Sequence, residues 1–327
     1  MVEVVDMSEN IQINNKKTSI ISEDKKVNNK RKHKRKFSIS ATNTQMRKGD
    51  TVVFTIVFVI FAIYAFTLLF SYGWAIMTSV KDKYEYINNI AGLPKDPVGF
   101  DNFVNAFKML NANKTNLATM FFNSLWYAFG GTFVGVAVST MSAYVVAKYK
   151  FPGRKLFNAV VLIMMMLPIV GSLPSQYEIY SELKILNSPL FLITFANGMG
   201  FNFLVLHGYF KSLPWDYVEA SFIDGGNHFN TFFKIMLPQA KGVITALYVV
   251  SFIGVWNDYS GPILFLEKYP TLASGIYIYD ISIFHDGNGD IPMLFAGVIM
   301  SVIPILALFI AFQEKIMNIS IGGGLKG

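Results

Sequence analysis

Side chains that could carry out catalysis are few and scattered in this sequence. The chain has no cysteine, which excludes disulfides, thiolate catalysis and metal sites built on thiolates. Its histidines are His33, His207, His228 and His285. No pair of them has the spacing of a metal site or a catalytic triad, so the sequence predicts neither a metal ion nor a catalytic centre.

A phosphate-binding loop is not predicted either. The pattern Gly-x-x-x-x-Gly-Lys-Ser/Thr is absent, and the glycine-rich ending from Gly322 to Gly327 follows no predicted strand. The chain itself is therefore expected to bind no nucleotide and no other cofactor.

The most informative polar segment, residues 211–241, lies between two apolar stretches. Pro214 suits the first turn of a helix, and the glycines at 225–226 suit its end. Asn227 can cap a second helix, and Pro238 is expected to mark a break before the next apolar stretch. The segment thus predicts a short helix, a glycine turn and another helix.

The first of these helices combines an apolar stripe with acidic neighbours. The stripe is Trp215, Val218 and Phe222, and the acids are Asp216, Glu219 and Asp224. A helix of this kind on a surface is a docking element for a partner. The alternative is an amphipathic helix that rests among lipid headgroups, which the acidic residues disfavour near anionic lipid.

Asp258 is the single charge inside the apolar stretch 242–266. An acid within a membrane-spanning stretch is a functional hypothesis by default, such as a proton or cation relay. The position of Asp258 near the end of the stretch, next to Asn257, favours instead a structural role or a place that lines a path or a subunit contact.

Segment 267–290 is expected to be a long polar loop. Its run Asp-Gly-Asn-Gly-Asp at 286–290 has the composition of a turn and loosely resembles a calcium loop. The glutamate that such a loop needs at its twelfth position is missing, so calcium binding is not expected.

Composition places these segments in an all-α integral membrane protein. Hydrophobic residues make up 53% of the chain and charged residues 15%, against about 25% charged residues in soluble domains, and the mean hydropathy is +0.41. Six stretches are long enough to cross a bilayer as helices. They lie near 52–79, 117–147, 156–177, 187–210, 242–266 and 291–313.

The distribution of Lys and Arg predicts how these spans are oriented in the membrane. With the N-terminus inside, the inner segments hold 21 Lys and Arg and the outer segments 7, so both termini are expected to be cytoplasmic. Residues 1–50 hold 12 basic and 6 acidic residues with few apolar ones, which predicts a disordered tail. The run at 30–36 could contact nucleic acid, but its place before a span favours an orienting role.

The polar segment also resembles a known motif. It follows the Glu-Ala-Ala, Gly and Ile-x-Leu-Pro pattern of the EAA loop in bacterial ABC importer permeases. The matching residues are Glu219, Ala220, Ser221, Gly225, Ile235, Leu237 and Pro238. The pattern departs only at Ser221, where the family usually has alanine, and the side chain stays small.

Three further stretches are similar to carbohydrate permeases of the maltose type. Residues 143–154 resemble the loop after the second span, and the run from Trp256 to Tyr259 resembles the Trp-Asn-acid-aromatic run of the fifth. The ending Gly323–Gly327 resembles the tail of the maltose-type permease. The resemblance covers residues 51–327 and leaves only the basic tail outside.

The resemblance implies a type I ABC importer permease, with six transmembrane helices and a cytoplasmic EAA coupling-helix hairpin at 211–240. The residues implied to couple to an ATPase are Glu219, Ala220, Ser221, Asp224, Gly225, Ile235, Leu237 and Pro238. Those implied to line a path or a subunit contact are Trp256, Asn257, Asp258 and Tyr259. In maltose-type permeases, the loop corresponding to 267–290 reaches into the extracellular binding protein.

The implied function is uptake of a sugar, with an oligosaccharide favoured, across the bacterial cytoplasmic membrane. The implied partners are ABC ATPase subunits, which hold ATP and Mg²⁺, a second permease subunit in a heterodimer, an extracellular binding protein and the lipid bilayer, but no nucleic acid. The chain is then a transport subunit and not an enzyme. Two alternatives stay open: uptake of a non-sugar solute, and an ion-coupled secondary transporter, which usually carries several intramembrane charges.

Overall fold

The computed structural model describes residues 48–95, 100–167, 171–286 and 289–322. The basic tail before residue 48 and the ending after residue 322 lie outside the described residues, as do positions 287–288 of the polar run. Predictions made for those segments therefore stay predictions.

The described residues are almost entirely helical, with one two-stranded hairpin. The first elements are α1 (Lys48–Ser79), α2 (Lys83–Asn88), α3 (Asp101–Met109), β1 (Asn111–Ala112), β2 (Thr115–Asn116), α4 (Leu117–Lys148), α5 (Arg154–Met166) and α6 (Leu173–Glu182). A 3-10 helix (Pro189–Phe195), α7 (Phe201–Ser212), α8 (Asp216–Ile223), α9 (His228–Thr231) and a π-helix (Phe232–Met236) follow. The last elements are α10 (Leu237–Trp256), α11 (Ser260–Phe265), α12 (Leu272–Asp286) and α13 (Ile291–Gly322). Strands β1 and β2 pair antiparallel, with Asn111 opposite Asn116.

The chain divides into two units, Met1–Ala65 and Phe66–Gly327. The described part of the first unit is the beginning of α1, whose side chains from residue 51 onward are exposed. The second unit holds every other described element, including all those that position the site.

Four helices of the described residues are long and apolar enough to cross a bilayer. They are Thr51–Ser79, Leu117–Lys148, His228–Trp256 and Ile291–Glu314. In the first of them the apolar side chains are exposed, Phe58 by 72% and Phe61 by 66%. Such a helix is stable where hydrocarbon covers it, which agrees with an integral membrane protein.

The third and fourth predicted spans, 156–177 and 187–210, are not single helices. In the first, α5 ends at Met166 and α6 begins only at Leu173, after Gly171 with φ of +80°. In the second, the 3-10 helix and α7 are separated by residues 196–200. Absence of charge, from which these two spans were predicted, carries no information about helix breaks at proline and glycine.

The fifth span also differs from its prediction. Its helix runs without a break from His228 through the π-helix to Trp256, and Pro238 lies in its first α-helical turn. The expected break at Pro238 is therefore wrong. In the π-helix, the Leu237 N–H reaches the Phe232 carbonyl five residues back, and this wider turn leaves room for a proline ring.

Segment 267–290 is not a loop over most of its length. Helix α12 occupies Leu272–Asp286, with Leu272 and Ser274 each 1% exposed. The polar run that suggested a loop begins only at residue 286, whereas residues 272–284 are largely aliphatic and aromatic and pack as a helix.

Helix α4 is the centre of the second unit. Near its C-terminal end, Tyr144 packs in a core cluster with Phe210 of α7, Val218 of α8 and Phe232 of the π-helix. This cluster joins the polar segment 211–241 to the membrane-spanning helices, and it fixes where the candidate site lies.

Candidate functional site

Helix α8 ends in a glycine turn that the backbone defines closely. Gly225 has φ of +80°, and its N–H donates to the Phe222 carbonyl at 3.1 Å. The Gly226 N–H donates to the Ser221 carbonyl at 2.8 Å. This pair of bonds is the Schellman motif, in which the residue after the helix takes the left-handed conformation.

Both glycines are required by geometry. At Gly225 a side chain would strain a left-handed backbone. At Gly226 the space is missing, since a Cβ would lie 2.7 Å from the Ser221 carbonyl oxygen. The second helix begins directly afterwards, where the Asn227 side chain accepts from the Asn230 N–H at 2.8 Å, as its position in the sequence predicts.

One face of this helix–turn–helix is exposed and acidic. Glu219, Ala220, Asp224 and Gly225 are all exposed. Among the described residues, no side chain pairs with the carboxylate of Glu219. Ile223, 85% exposed, adds a large apolar side chain to the same surface. An exposed carboxylate without a partner can accept charge-assisted hydrogen bonds from a basic side chain of another protein.

The opposite face of α8 is buried. Val218 is 0% exposed and Ser221 is 6% exposed. The Ser221 hydroxyl lies 2.8 Å from the Thr231 hydroxyl, which in turn donates to the Asn227 carbonyl at 2.9 Å. The serine at this position is therefore a satisfied buried polar group that joins the two helices of the hairpin.

The last residues of the EAA-like motif do not reach the exposed surface. Ile235 and Leu237 are partly buried against the core cluster of Val218, and Met236 between them is 0% exposed. Pro238 is exposed and lines an apolar groove beside α4. The motif thus separates into an acidic contact surface, from Glu219 to Gly225, and a structural part that supports it.

Tyr149 connects this hairpin to the end of α4. Its hydroxyl lies 2.9 Å from Nδ1 of His228 and 3.2 Å from the Tyr144 hydroxyl. Its ring meets that of Trp215 edge to face, with centroids 6.1 Å apart. A second tie is the Lys148 ammonium, which donates to the Leu213 carbonyl at 2.6 Å. Sequence reasoning missed this role of Tyr149 and His228, although the stretch 143–154 was singled out.

The run from Trp256 to Tyr259 forms the C-terminal end of α10 and the turn that follows it. Trp256 is 3% exposed, stacks on Phe252 and donates from Nε1 to the Ser301 carbonyl at 3.1 Å. Asn257 is exposed and donates to the Ile253 carbonyl of its own helix. The ring of Tyr259 stacks on Tyr277 with centroids 4.5 Å apart.

Asp258 lies in the turn after α10 and not within a helix. Its carboxylate accepts from the Tyr127 hydroxyl at 2.7 Å, the Ser260 hydroxyl at 3.1 Å and the Gly261 N–H at 3.0 Å. Tyr127 belongs to α4 and is 1% exposed. Three donors hold this carboxylate between α4 and the start of α11, an arrangement that suits a structural connection.

Within the described part of the chain, no group of three His, Asp or Glu residues could hold a metal ion.

Comparison with known protein families shows which family has this sequence and geometry. Residues 135–314, more than half of the chain, match the family described as binding-protein-dependent transport system inner membrane component. The chain belongs to this family. The matched range includes the whole hairpin and three of the four helices that are long enough to cross a bilayer, in part or in full.

Several inner membrane components are similar over most of the chain. The diacetylchitobiose uptake system permease protein NgcG of Streptomyces coelicolor is 30% identical over 248 residues, which cover 74% of this chain and 79% of that protein. The arabinooligosaccharides transport system permease protein AraQ of Halalkalibacterium halodurans is 28% identical over 283 residues, which cover 86% and 99%.

A solved structure has the same fold as this inner membrane component. It is a chain in the crystal structure of a bacterial ABC transporter involved in the import of the acidic polysaccharide alginate, with a TM-score of 0.69 and 18% identity. The match covers 82% of this chain and 98% of that one. The arrangement of helices around α4 is therefore a fold that a solved ABC transporter subunit also has.

Proposed function

We propose that the chain is the permease subunit of a binding-protein-dependent ABC importer and forms half of the translocation path for a sugar, with an oligosaccharide favoured. The observation that carries the proposal is the family match over 135–314, which contains both the membrane-spanning helices and the exposed acidic hairpin. The names of the diacetylchitobiose and arabinooligosaccharide permeases support a sugar as the solute.

The hairpin is the contact for an ATPase subunit. The unpaired carboxylate of Glu219 binds a basic residue of the ATPase, and Ala220, Asp224 and Gly225 lie within that contact. ATP and Mg²⁺ are held by the ATPase, and this chain hydrolyses nothing. Because the Schellman turn fixes the end of α8, the contact surface keeps its shape when the ATPase moves.

Movement of the ATPase reaches the spans through two connections. Val218 packs against Phe232 and Tyr144 in one core cluster, and Tyr149 bonds to His228 across the same interface. The second helix of the hairpin continues without a break into α10. A displacement of α8 therefore displaces both α4 and α10.

The chain crosses the bacterial cytoplasmic membrane six times, with both termini in the cytoplasm. The third and fourth crossings are made by the interrupted stretches α5 to α6 and 3-10 helix to α7. A second permease subunit completes the path in a heterodimer, and an extracellular binding protein delivers the sugar. Trp256, Asn257, Asp258 and Tyr259 lie at the outer end of α10, where they support the path or the subunit contact.

The contact with the ATPase is tested by Glu219→Lys in the complete importer. Truncating one member of a desolvated charge pair costs roughly 2–5 kcal/mol, so ATPase co-purification and binding-protein-stimulated ATP hydrolysis should both fall more than tenfold. Glu178→Lys, an equally exposed glutamate on α6, is the control and should change neither. Full retention with normal stimulated hydrolysis would contradict the assignment of the contact.

The solute is tested by uptake of labelled oligosaccharides into proteoliposomes that contain the importer and its binding protein. ATP-dependent sugar uptake is expected. Uptake of only a non-sugar solute would transfer the proposal to that solute, and uptake driven by an ion gradient without ATP would replace it with a secondary transporter.

A further inference from the structure

The apolar groove beside α4 lies between α4 and α10. It consists of two adjoining cavities, of about 740 Å³ and 440 Å³, which share Phe232 and Phe233 in their walls. The larger cavity lies between residues 133–141 of α4 and residues 237–248 of α10. Both helices are long and apolar enough to cross a bilayer, so we expect lipid to be the medium that surrounds this groove.

The length of the larger cavity matches one leaflet of a membrane. At its far end, the Tyr248 hydroxyl donates to the Phe129 carbonyl at 3.1 Å and bridges the two helices. From Leu237, where α10 begins, to Tyr248, the helix rises about 17 Å at about 1.5 Å per residue. One leaflet of the hydrocarbon core is about 15 Å thick. A lipid chain occupies one leaflet, whereas a transmembrane helix of another protein would need a groove through both.

Polar side chains of the larger cavity are bonded within the chain, with one exception. The Thr140 hydroxyl donates to the Val136 carbonyl at 2.7 Å, and the Thr245 hydroxyl donates to the Lys241 carbonyl at 2.7 Å. The exception is the ammonium of Lys241, which is exposed and pairs with no side chain that the structure describes. Lys241 is also the one charged residue among the described residues that line this cavity. The groove therefore suits an occupant that is apolar along its length and negatively charged near Lys241.

Lys241 lies one turn from the start of α10. Its Cα is about 6 Å along the helix from that of Leu237. A long lysine side chain near a helix end extends toward the membrane interface while its methylene groups stay on apolar surface. With the hairpin in the cytoplasm, as the proposed function has it, the ammonium lies at the headgroups of the cytoplasmic leaflet, where anionic lipids are found.

We propose that this groove binds one anionic phospholipid of the cytoplasmic leaflet. An acyl chain lies along the apolar walls of α4 and α10, and the headgroup accepts charge-assisted hydrogen bonds from the Lys241 ammonium. The inference uses the membrane orientation of the proposed function, but it does not depend on which solute is transported.

Photo-crosslinking of a lipid tests the site directly. The complete importer is reconstituted in phosphatidylcholine vesicles with a small amount of phosphatidylglycerol that carries a photoactivatable group on its acyl chain. Irradiation should attach this lipid to peptides from 133–145 and 233–248. A phosphatidylcholine with the same chain should label these peptides about fivefold less, the ratio that corresponds to about 1 kcal/mol for one Lys near a membrane surface.

The role of Lys241 is tested by Lys241→Gln, which removes the charge and keeps a long side chain. The preference of the groove peptides for phosphatidylglycerol should then be lost. Lys155→Gln is the matched control, because Lys155 is also exposed but lies on α5, outside the groove, and its removal should leave the preference unchanged.

A filling variant tests the apolar part of the site. Thr245→Phe places a ring in the groove, so labelling of the groove peptides by both lipids should fall severalfold. Val250→Phe adds the same ring to a residue of α10 that is 51% exposed and outside the groove, and it should be labelled as the parent is.

Two outcomes would overturn the lipid site. Equal labelling by the two lipids in the parent and in Lys241→Gln would show that the groove does not select an anionic headgroup. Unlabelled groove peptides in the parent, together with loss of the second permease subunit from purified Thr245→Phe, would show that a protein occupies the groove.

Labelling is measured without transport, so the lipid site and the proposed function can fail separately. An importer that takes up sugar but shows no labelled groove peptides would overturn the lipid site alone. An importer that is labelled as expected but takes up no sugar would contradict the proposed solute and support the lipid site.

Discussion

Glu219 is exposed, and among the residues that the structure describes no side chain pairs with its carboxylate, so it is available to a partner. Its neighbours on α8 have structural roles: Val218 packs in the core, and the Ser221 hydroxyl bonds to the Thr231 hydroxyl. The departure of Ser221 from the usual alanine is explained by this bond. Ser221→Ala should therefore be nearly neutral, since the Thr231 hydroxyl keeps its bond to the Asn227 carbonyl.

Tyr149 is predicted to transmit motion between the hairpin and α4. Tyr149→Phe keeps the ring contact with Trp215 and removes the hydroxyl that bonds to His228 and Tyr144, at about 1 kcal/mol for each bond. We expect the ratio of sugar transported to ATP hydrolysed to fall severalfold while the importer assembles normally. Tyr217→Phe, on the exposed side of α8, is the control; an unchanged ratio in Tyr149→Phe would show that the bond is dispensable.

Asp258 is predicted to stabilise the C-terminal end of α10. Asp258→Ala leaves the buried Tyr127 hydroxyl without its acceptor, which costs about 1–3 kcal/mol. The Tm of the detergent-solubilised complex should fall. Tyr127→Phe should lower the Tm less, because it leaves no buried hydroxyl unsatisfied and the Asp258 carboxylate keeps its bonds from Ser260 and Gly261. A variant with unaltered Tm and a changed dependence of uptake on a proton gradient would instead support a relay.

At the scale of elements, the turn after α8 decides whether the hairpin forms. Gly226→Ala places a Cβ 2.7 Å from the Ser221 carbonyl oxygen, and Gly225→Val strains the left-handed residue by about 1–3 kcal/mol. Both should weaken ATPase binding while membrane insertion stays normal. Gly208→Ala, in open space within α7, should leave binding unchanged. ATPase binding equal to that of the parent in both turn variants would contradict the importance of the turn.

Local signals made the helix and turn of segment 211–241 predictable. Glycine and asparagine at 225 and 227 act on the backbone within one or two turns, so their effect follows from sequence. Pro214, which was expected in the first turn of the helix, lies instead just before Trp215, the N-cap of α8. The ending of α5 at Met166 and the interruption at 196–200 were not predicted, because uninterrupted apolarity reports burial in lipid rather than backbone geometry. The Tyr149 to His228 bond joins residues 79 apart, and no local pattern encodes such a contact.

The π-helix is another feature that local sequence signals do not predict. Pro238 removes one regular hydrogen bond, which suggested a break, but whether the chain breaks or widens depends on packing around the proline. Phe232 and Met236 are buried in the core cluster, and they hold the widened turn in line with α10. The groove beside α4 was missed for a related reason, since its lining residues come from two distant stretches.

At the scale of the whole molecule, labelling of single cysteines tests the predicted membrane topology. Single cysteines at Asn227 and Lys268 should react from opposite sides of the membrane, Asn227 from the cytoplasm and Lys268 from outside. Both positions are exposed, so labelling reports sidedness rather than burial. Reaction of both from the same side would mean that the helix between them does not cross the bilayer.

Because the helix from His228 to Trp256 is unbroken, a tilt at one end displaces its other end. Its 29 residues span about 43 Å at a rise of about 1.5 Å per residue. Over this length, a tilt of about 5° imposed at the hairpin moves the end at Trp256 by roughly 4 Å. At that end, Trp256 donates to the Ser301 carbonyl of α13, so such a tilt carries the displacement from the hairpin to the contact with α13.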